Sequence, residues 1–232
     1  MTRELADAYW PDIEPGRVTV AVPVGAFEQH GPHLPLDTDT RIASSVASAV
    51  AAALPGVVVA PPVTYGASGE HEGFPGTVSI GAEATKLLLV EYGRSVCRWA
   101  KRVVFVNGHG GNAHALLEAV TLLRYEGRDA AWIPCAVPGA DAHAGVTETS
   151  LLLHLAPGSV DLSRAEPGAT EPIGTLMPRL RETGIVSVSA NGILGDPSEA
   201  TAELGARLFA NLVERATAQV TRWCPGTEGR LR

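Results

Sequence analysis

Glu28, His30, His33, Asp37 and Asp39 fall within twelve residues, EQHGPHLPLDTD, directly after the apolar segment 18–24. Ionisable side chains gathered where a buried strand ends need compensation, because burying an unpartnered charge is costly. Carboxylates and imidazoles together suit a borderline divalent cation such as zinc, iron or manganese. A second set, Asn107-Gly-His109-Gly-Gly-Asn112, puts a histidine between glycines just ahead of a helical segment. Glycines there let the backbone approach a ligand, and a helix start favours negative charge. Taken alone, this turn also reads as a phosphate loop, but it lacks the P-loop lysine and the GxGxxG spacing. The third set is Asp141, His143 and Glu148. Glu148 has a plainer reading as a carboxylate at a helix start, and His143 as an exposed loop residue.

Other candidates carry less. His33, between Pro32 and Pro35, reads as a loop-orienting residue, Asp37 as a turn or cap residue, and His114 as the solvent face of a helix. Glu70, His71 and Glu72 read equally as substrate contacts or as a solvated rim.

Strand and helix signals alternate around these residues. Buried strands are expected at 18–24, 57–60, 103–106 and 130–133, and helices at 41–54, 82–100, 112–126, 146–155 and 199–222. The Gly-rich segment 65–81 is too long for a simple connection, and such loops in compact domains are usually functional. The Gly- and Pro-rich segment 157–196 shows no clear period. Repeated strand-helix units imply a mainly parallel sheet with helices on both faces. In such sheets ligands sit at the carboxyl ends of strands. All three ionisable sets follow strands, so they converge on one edge.

The 232 residues fit one α/β domain over 1–232 with a substantial core. A formal charge of 18 minus 25, or −7, gives no footprint for nucleic acid or an anionic membrane surface. Three scattered cysteines, Cys97, Cys135 and Cys224, fit a reducing cytoplasm better than a disulfide framework. The first ten residues carry Arg3, Glu4 and Asp7 without an apolar core, so no signal peptide is expected.

The strings at 23–39, Phe74-Pro-Gly-Thr77, NGHGGN at 107–112 and Glu148-Thr-Ser150 resemble the creatininase (creatinine amidohydrolase) family. The resemblance runs from about residue 18 to 156, and EQHGPHLPLxTD is its most specific part. It implies a three-layer α/β/α sandwich, two divalent metal ions (Zn, Fe or Mn), hydrolysis of a C–N bond and a homo-oligomer, a hexamer by family analogy. Carried over, Glu28, His30, Asp39 and His109 match metal ligands, with Asp39 bridging, and His143 matches the catalytic histidine. Asn112 is expected to support the oxyanion or orient the ligands.

Two departures matter. Creatininases proper read Asn-Gly-His-Tyr-Glu-Asn, and their second-metal glutamate is here Gly111, so Glu148 is expected as the fifth ligand. The substrate-closing tryptophans have no counterpart between Ile133 and His143, so creatinine is not the expected substrate. The short N-terminal lead, the loop GEHEGFPGT and GILGDP at 192–197 look most like the family's peptidases of the mycofactocin system. These act on a modified ribosomal precursor peptide. The alternatives are a formamide or amide hydrolase of a flavin or deazaflavin pathway, and a non-catalytic scaffold.

Overall fold

The computed structural model describes residues 4–232; Arg3, part of the N-terminal reading, lies outside them. Four strands, β1 Thr19–Val24, β2 Val57–Val59, β3 Arg102–Asn107 and β4 Ala130–Pro134, form one sheet. All pairings are parallel, in the order β2-β1-β3-β4. β1 and β2 are buried at every position, which is why their apolar residues run on without alternating.

Helices α1 Thr38–Ala53, α4 Val146–Leu155 and α6 Ala202–Arg222 cover one face, around Val46, Val50, Val104, Ile133, Leu152 and Leu212. Helices α2 Gly81–Val96 and α3 Ala113–Tyr125 cover the other, around Val22, Leu89, Phe105, Leu116 and Leu123. This is the expected three-layer α/β/α sandwich. The C-terminal tail follows β4: Trp132 N–H donates to Gly229 and Leu231 N–H to Trp132. An otherwise open sheet edge is thereby covered.

From β1 the chain passes to β2 on one side and then to β3 on the other. The strand order thus reverses between β1 and β3, and a crevice opens at their carboxyl ends. Both glycine-histidine loops leave the sheet there.

Two differences from the expected elements bear on the site. Helix α1 begins at Thr38, ahead of the expected 41–54, because the turn before it is already closed: the Thr38 hydroxyl donates to the Pro35 carbonyl at 2.7 Å. Asp39 therefore stands in the first turn of the helix. Within 157–196 there is a helix, α5 Ile173–Thr183. Its Leu176 and Leu180 pack with Ile185 and Leu194 in a small separate cluster. Pro178 inside it removes a backbone donor, which hides the helix from a periodicity reading. Among the described residues no helix is long and apolar enough to cross a membrane.

Candidate metal centre

Glu28 comes from the loop after β1, Asp39 from the first turn of α1 and His109 from the loop after β3. Ligand-capable atoms of all three lie within 4.8 Å of one another. His109 Nδ1 is 3.1 Å from Glu28 Oε1 and 3.3 Å from Asp39 Oδ2. The other Asp39 oxygen, Oδ1, is 3.3 Å from His30 Nε2, which is 3.9 Å from Glu148 Oε2. His30, His143 and Glu148 make a second group of the same compactness. Asp39 thus turns one oxygen toward each group. Gly108 permits this approach: a Cβ there would stand 2.3 Å from the Asp39 carbonyl oxygen.

The rings are turned by their outer nitrogens. His30 Nδ1 lies 3.1 Å from the Glu28 carbonyl, His109 Nε2 3.0 Å from that of Ala67, and His143 Nε2 2.8 Å from that of Gln29. A carbonyl only accepts, so each outer nitrogen donates, which leaves the inner one to offer a lone pair when a cation is bound, as in metal-binding imidazoles. Glu28 and Asp39 are almost wholly buried. Both Glu28 carboxylate oxygens and Asp39 Oδ2 lack any hydrogen-bond donor. Buried carboxylates without donors fit a cation, and are expensive otherwise.

Burial pushes the Glu28 carboxyl up. Burial also opposes charging of His30, but Asp39, Glu148 and Glu28 outweigh it and carry the ring up to about 10. His109 rises likewise against its burial, through Glu28 and Asp39. Asp39 resists burial and is held well below the usual range by His30 and His109. Burial raises Glu148 to about 7, with His30 opposing. Carboxylates this dense demand positive charge, from protons on His30 and His109 or from cations. His143 falls well below its ordinary value and His71 to about 3, through burial first and neighbouring imidazoles second.

The remaining candidates divide. His71 is buried in the centre, with Nε2 3.2 Å from Glu28 Oε1; the residue pattern alone left it evenly between substrate contact and rim. The one available signal was its place in an overlong Gly-rich loop. Glu70 lies on the rim, 3.7 Å from His109 Nε2, and Glu72 is exposed. His33 is buried behind the site, its Nε2 2.8 Å from the Thr149 hydroxyl. Asp37 pairs with Arg41 at 2.7 Å, and His114 faces solvent. Asp141 accepts from Thr147 N–H and braces the start of α4. Asn112 is fully engaged: Oδ1 accepts from Ala67 N–H, and Nδ2 donates to Gly25 and Asn107. Both amide hydrogens are thereby committed to contacts between the loops.

Gly111 has no room for a side chain. A Cβ there would meet His109 Nε2 at 2.3 Å and the Ala67 carbonyl at 2.4 Å. Over the centre lies a cleft of about 890 Å³. Glycine loops and the ionisable cluster form its floor, and Ile173, Met177, Leu180, Ile185 and Val186 one apolar wall. The wall is α5 and the turn after it.

The chain is similar to known proteins in sequence and in fold. The mycofactocin precursor peptide peptidase of Mycolicibacterium smegmatis is 61% identical over 217 residues, covering 91% of this chain and 88% of that one. The protein of that name from Mycobacterium tuberculosis is 52% identical over 237 residues, covering 98% and 94%. Among solved structures, a mutant creatininase of Zn-Zn type superposes with TM-score 0.82 and one described as creatininase Mn with 0.81. Both are 27% identical over 97% of this chain and 100% of theirs. A family model described as creatinine amidohydrolase matches residues 6–220. Fold, clustered side chains and sequence agree, and the chain belongs to the creatininase family.

Proposed function

We propose that this protein is a metal-dependent peptidase that hydrolyses a C–N amide bond of the mycofactocin precursor peptide, releasing its modified C-terminal dipeptide. The observation that carries the reading is the meeting of Glu28, Asp39 and His109 around a common point, with buried carboxylate oxygens that no donor satisfies. The peptide substrate follows from the 61% identical relative. Glu28, Asp39 and His109 hold one cation in this scheme. His30, Asp39 and Glu148 hold the second, with Asp39 shared. Zinc, manganese and iron all accept such ligands.

Two divalent cations there would polarise the scissile carbonyl and bring the pKa of a water to about 7. The protein's own groups do the rest. The apolar wall of α5 seats the peptide and excludes water. His143 moves a proton to the leaving nitrogen, the step at which amide hydrolysis most needs an acid. Asn112 ties the loops at Gly25, Ala67 and Asn107 together and keeps His109 in place. A cytoplasmic homo-oligomer, a hexamer by family analogy, completes the reading, and light scattering on the purified protein tests the assembly.

The decisive experiment incubates protein loaded separately with Zn, Mn or Fe with the modified precursor peptide and with small formamides, followed by mass spectrometry. Release of the C-terminal dipeptide, abolished by chelator and restored by metal, is expected. Cleavage of formamides alone, or undiminished activity in stripped protein, would overturn the reading.

A further inference from the structure

Gln29 sits in the middle of the EQH string and is 5% exposed. Its carboxamide touches four groups. Gly31 N–H donates to Oε1 at 2.8 Å, and Nε2 donates to the Gly192 carbonyl at 2.9 Å. These two contacts fix which end of the amide is oxygen and which is nitrogen. Gly192, at φ +79°, is what allows them: a Cβ there would stand 2.0 Å from Gln29 Oε1.

The second Nε2 hydrogen faces two rings, His71 Nδ1 at 3.0 Å and His143 Nε2 at 3.1 Å. His143 Nε2 already donates to the backbone carbonyl of Gln29 at 2.8 Å. A nitrogen that carries a hydrogen accepts nothing, so the amide hydrogen goes to His71 Nδ1, which must offer a lone pair. The proton of the His71 ring then sits on Nε2, facing Glu28 Oε1 at 3.2 Å. His143, protonated on its outer Nε2, turns an empty Nδ1 inward, 3.9 Å from the same oxygen.

We propose that Gln29 is a positioning residue that holds both rings in the Nε2–H tautomer with opposite ends inward, so that His71 turns its proton toward Glu28 while His143 presents a lone pair to the cleft. The compact trio Glu28, His71 and His143 then has a proton, not a lone pair, on the His71 nitrogen that faces Glu28, and is not a third cation site. His71 anchors a carboxylate that binds metal, a partner of the kind that orients such ligands. His143 can take a proton from water and pass it to the leaving nitrogen. That last consequence rests on the hydrolase reading; the ring states do not.

Nitrogen-15 NMR of zinc-loaded and zinc-free protein labelled at histidine reads the rings directly, with His71→Gln and His143→Gln assigning the signals. Both residues are expected to show a hydrogen-bearing Nε2 and an unprotonated Nδ1, and zinc should leave His71 Nε2 unmetallated. In Gln29→Glu, where the donor becomes an acceptor, His71 should move its proton to Nδ1. His143, held by the main-chain carbonyl, should keep its tautomer. Such a variant should retain metal and lose roughly 10–100-fold in turnover. A proton on Nδ1 of His71 in the unsubstituted protein, zinc on His71, or an unchanged His71 in Gln29→Glu would overturn the proposal. Should the variant not fold, the unsubstituted spectrum decides alone. No peptide enters the ring measurement, so failure of the peptidase reading would leave it standing.

Discussion

His30 Nε2 and Glu148 Oε2 lie 3.9 Å apart, joining the loop after β1 to the first turn of α4. In the proposed scheme this carboxylate takes the place of the one that creatininases proper carry where this chain has Gly111. Glu148→Gln should therefore lower bound metal from two ions per chain to one, and turnover with it, while the Glu28–His109 pair keeps its ion. Elemental analysis beside activity checks this; two ions retained in the variant would remove Glu148 from the ligand set.

Asp39 and His143 should separate cleanly. Asp39 offers an oxygen to each group, so Asp39→Ala should lose metal and hydrolysis together. His143→Ala should keep its metal and lose about 10²–10⁴-fold in kcat, the usual worth of a general acid–base group. Metal content measured on both variants, with kcat on the second, distinguishes the roles.

Restoring the family's glutamate by Gly111→Glu should harm the protein. The Ala67 carbonyl and the His109 ring occupy the space its Cβ would need. Overpacking of this kind costs about 1–3 kcal/mol, or roughly 2–12 °C in Tm for a chain of this size. Thermal melts of the metal-loaded variant test it, and a gain in stability or metal affinity would contradict it.

How legible the chain was depends on the element. The four strands and five of the helices follow from short apolar runs and from apolar residues recurring at helical spacing, because one buried environment dictates each. Glu28, His30, Asp39 and His109 were legible because they sit at strand and helix ends that topology brings together. α5 was hidden by Pro178 and by a cluster too small to impose a pattern. His71 and Gln29 were hidden for another reason: their importance lies in contacts between loops, which spacing along the chain does not encode.

The apolar wall gives a prediction about binding. Met177, half-buried on α5, lines the cleft and is not part of the ionisable cluster. Met177→Ala should raise KM for the precursor peptide and leave kcat and metal content nearly unchanged, the pattern of lost uniform binding. A fall in kcat at constant KM would place α5 in the chemistry instead.

His33 supplies a test of acid sensitivity. Burial, and next the charged His30 ring, lower its pKa to about 4, against an ordinary value of 6.5. The unfolded chain therefore takes up this proton first as pH falls. Stability from the neutral ring is intact above about pH 6.5 and drains away between there and pH 4. In chelator-treated protein, where metal loss plays no part, urea midpoints at pH 7.5 and 5 should differ less in His33→Gln than in the unsubstituted chain. Glutamine can still meet the Thr149 hydroxyl, which His33 Nε2 meets at 2.8 Å. It has no proton to gain, so an equal loss in both proteins would show that His33 does not carry the effect.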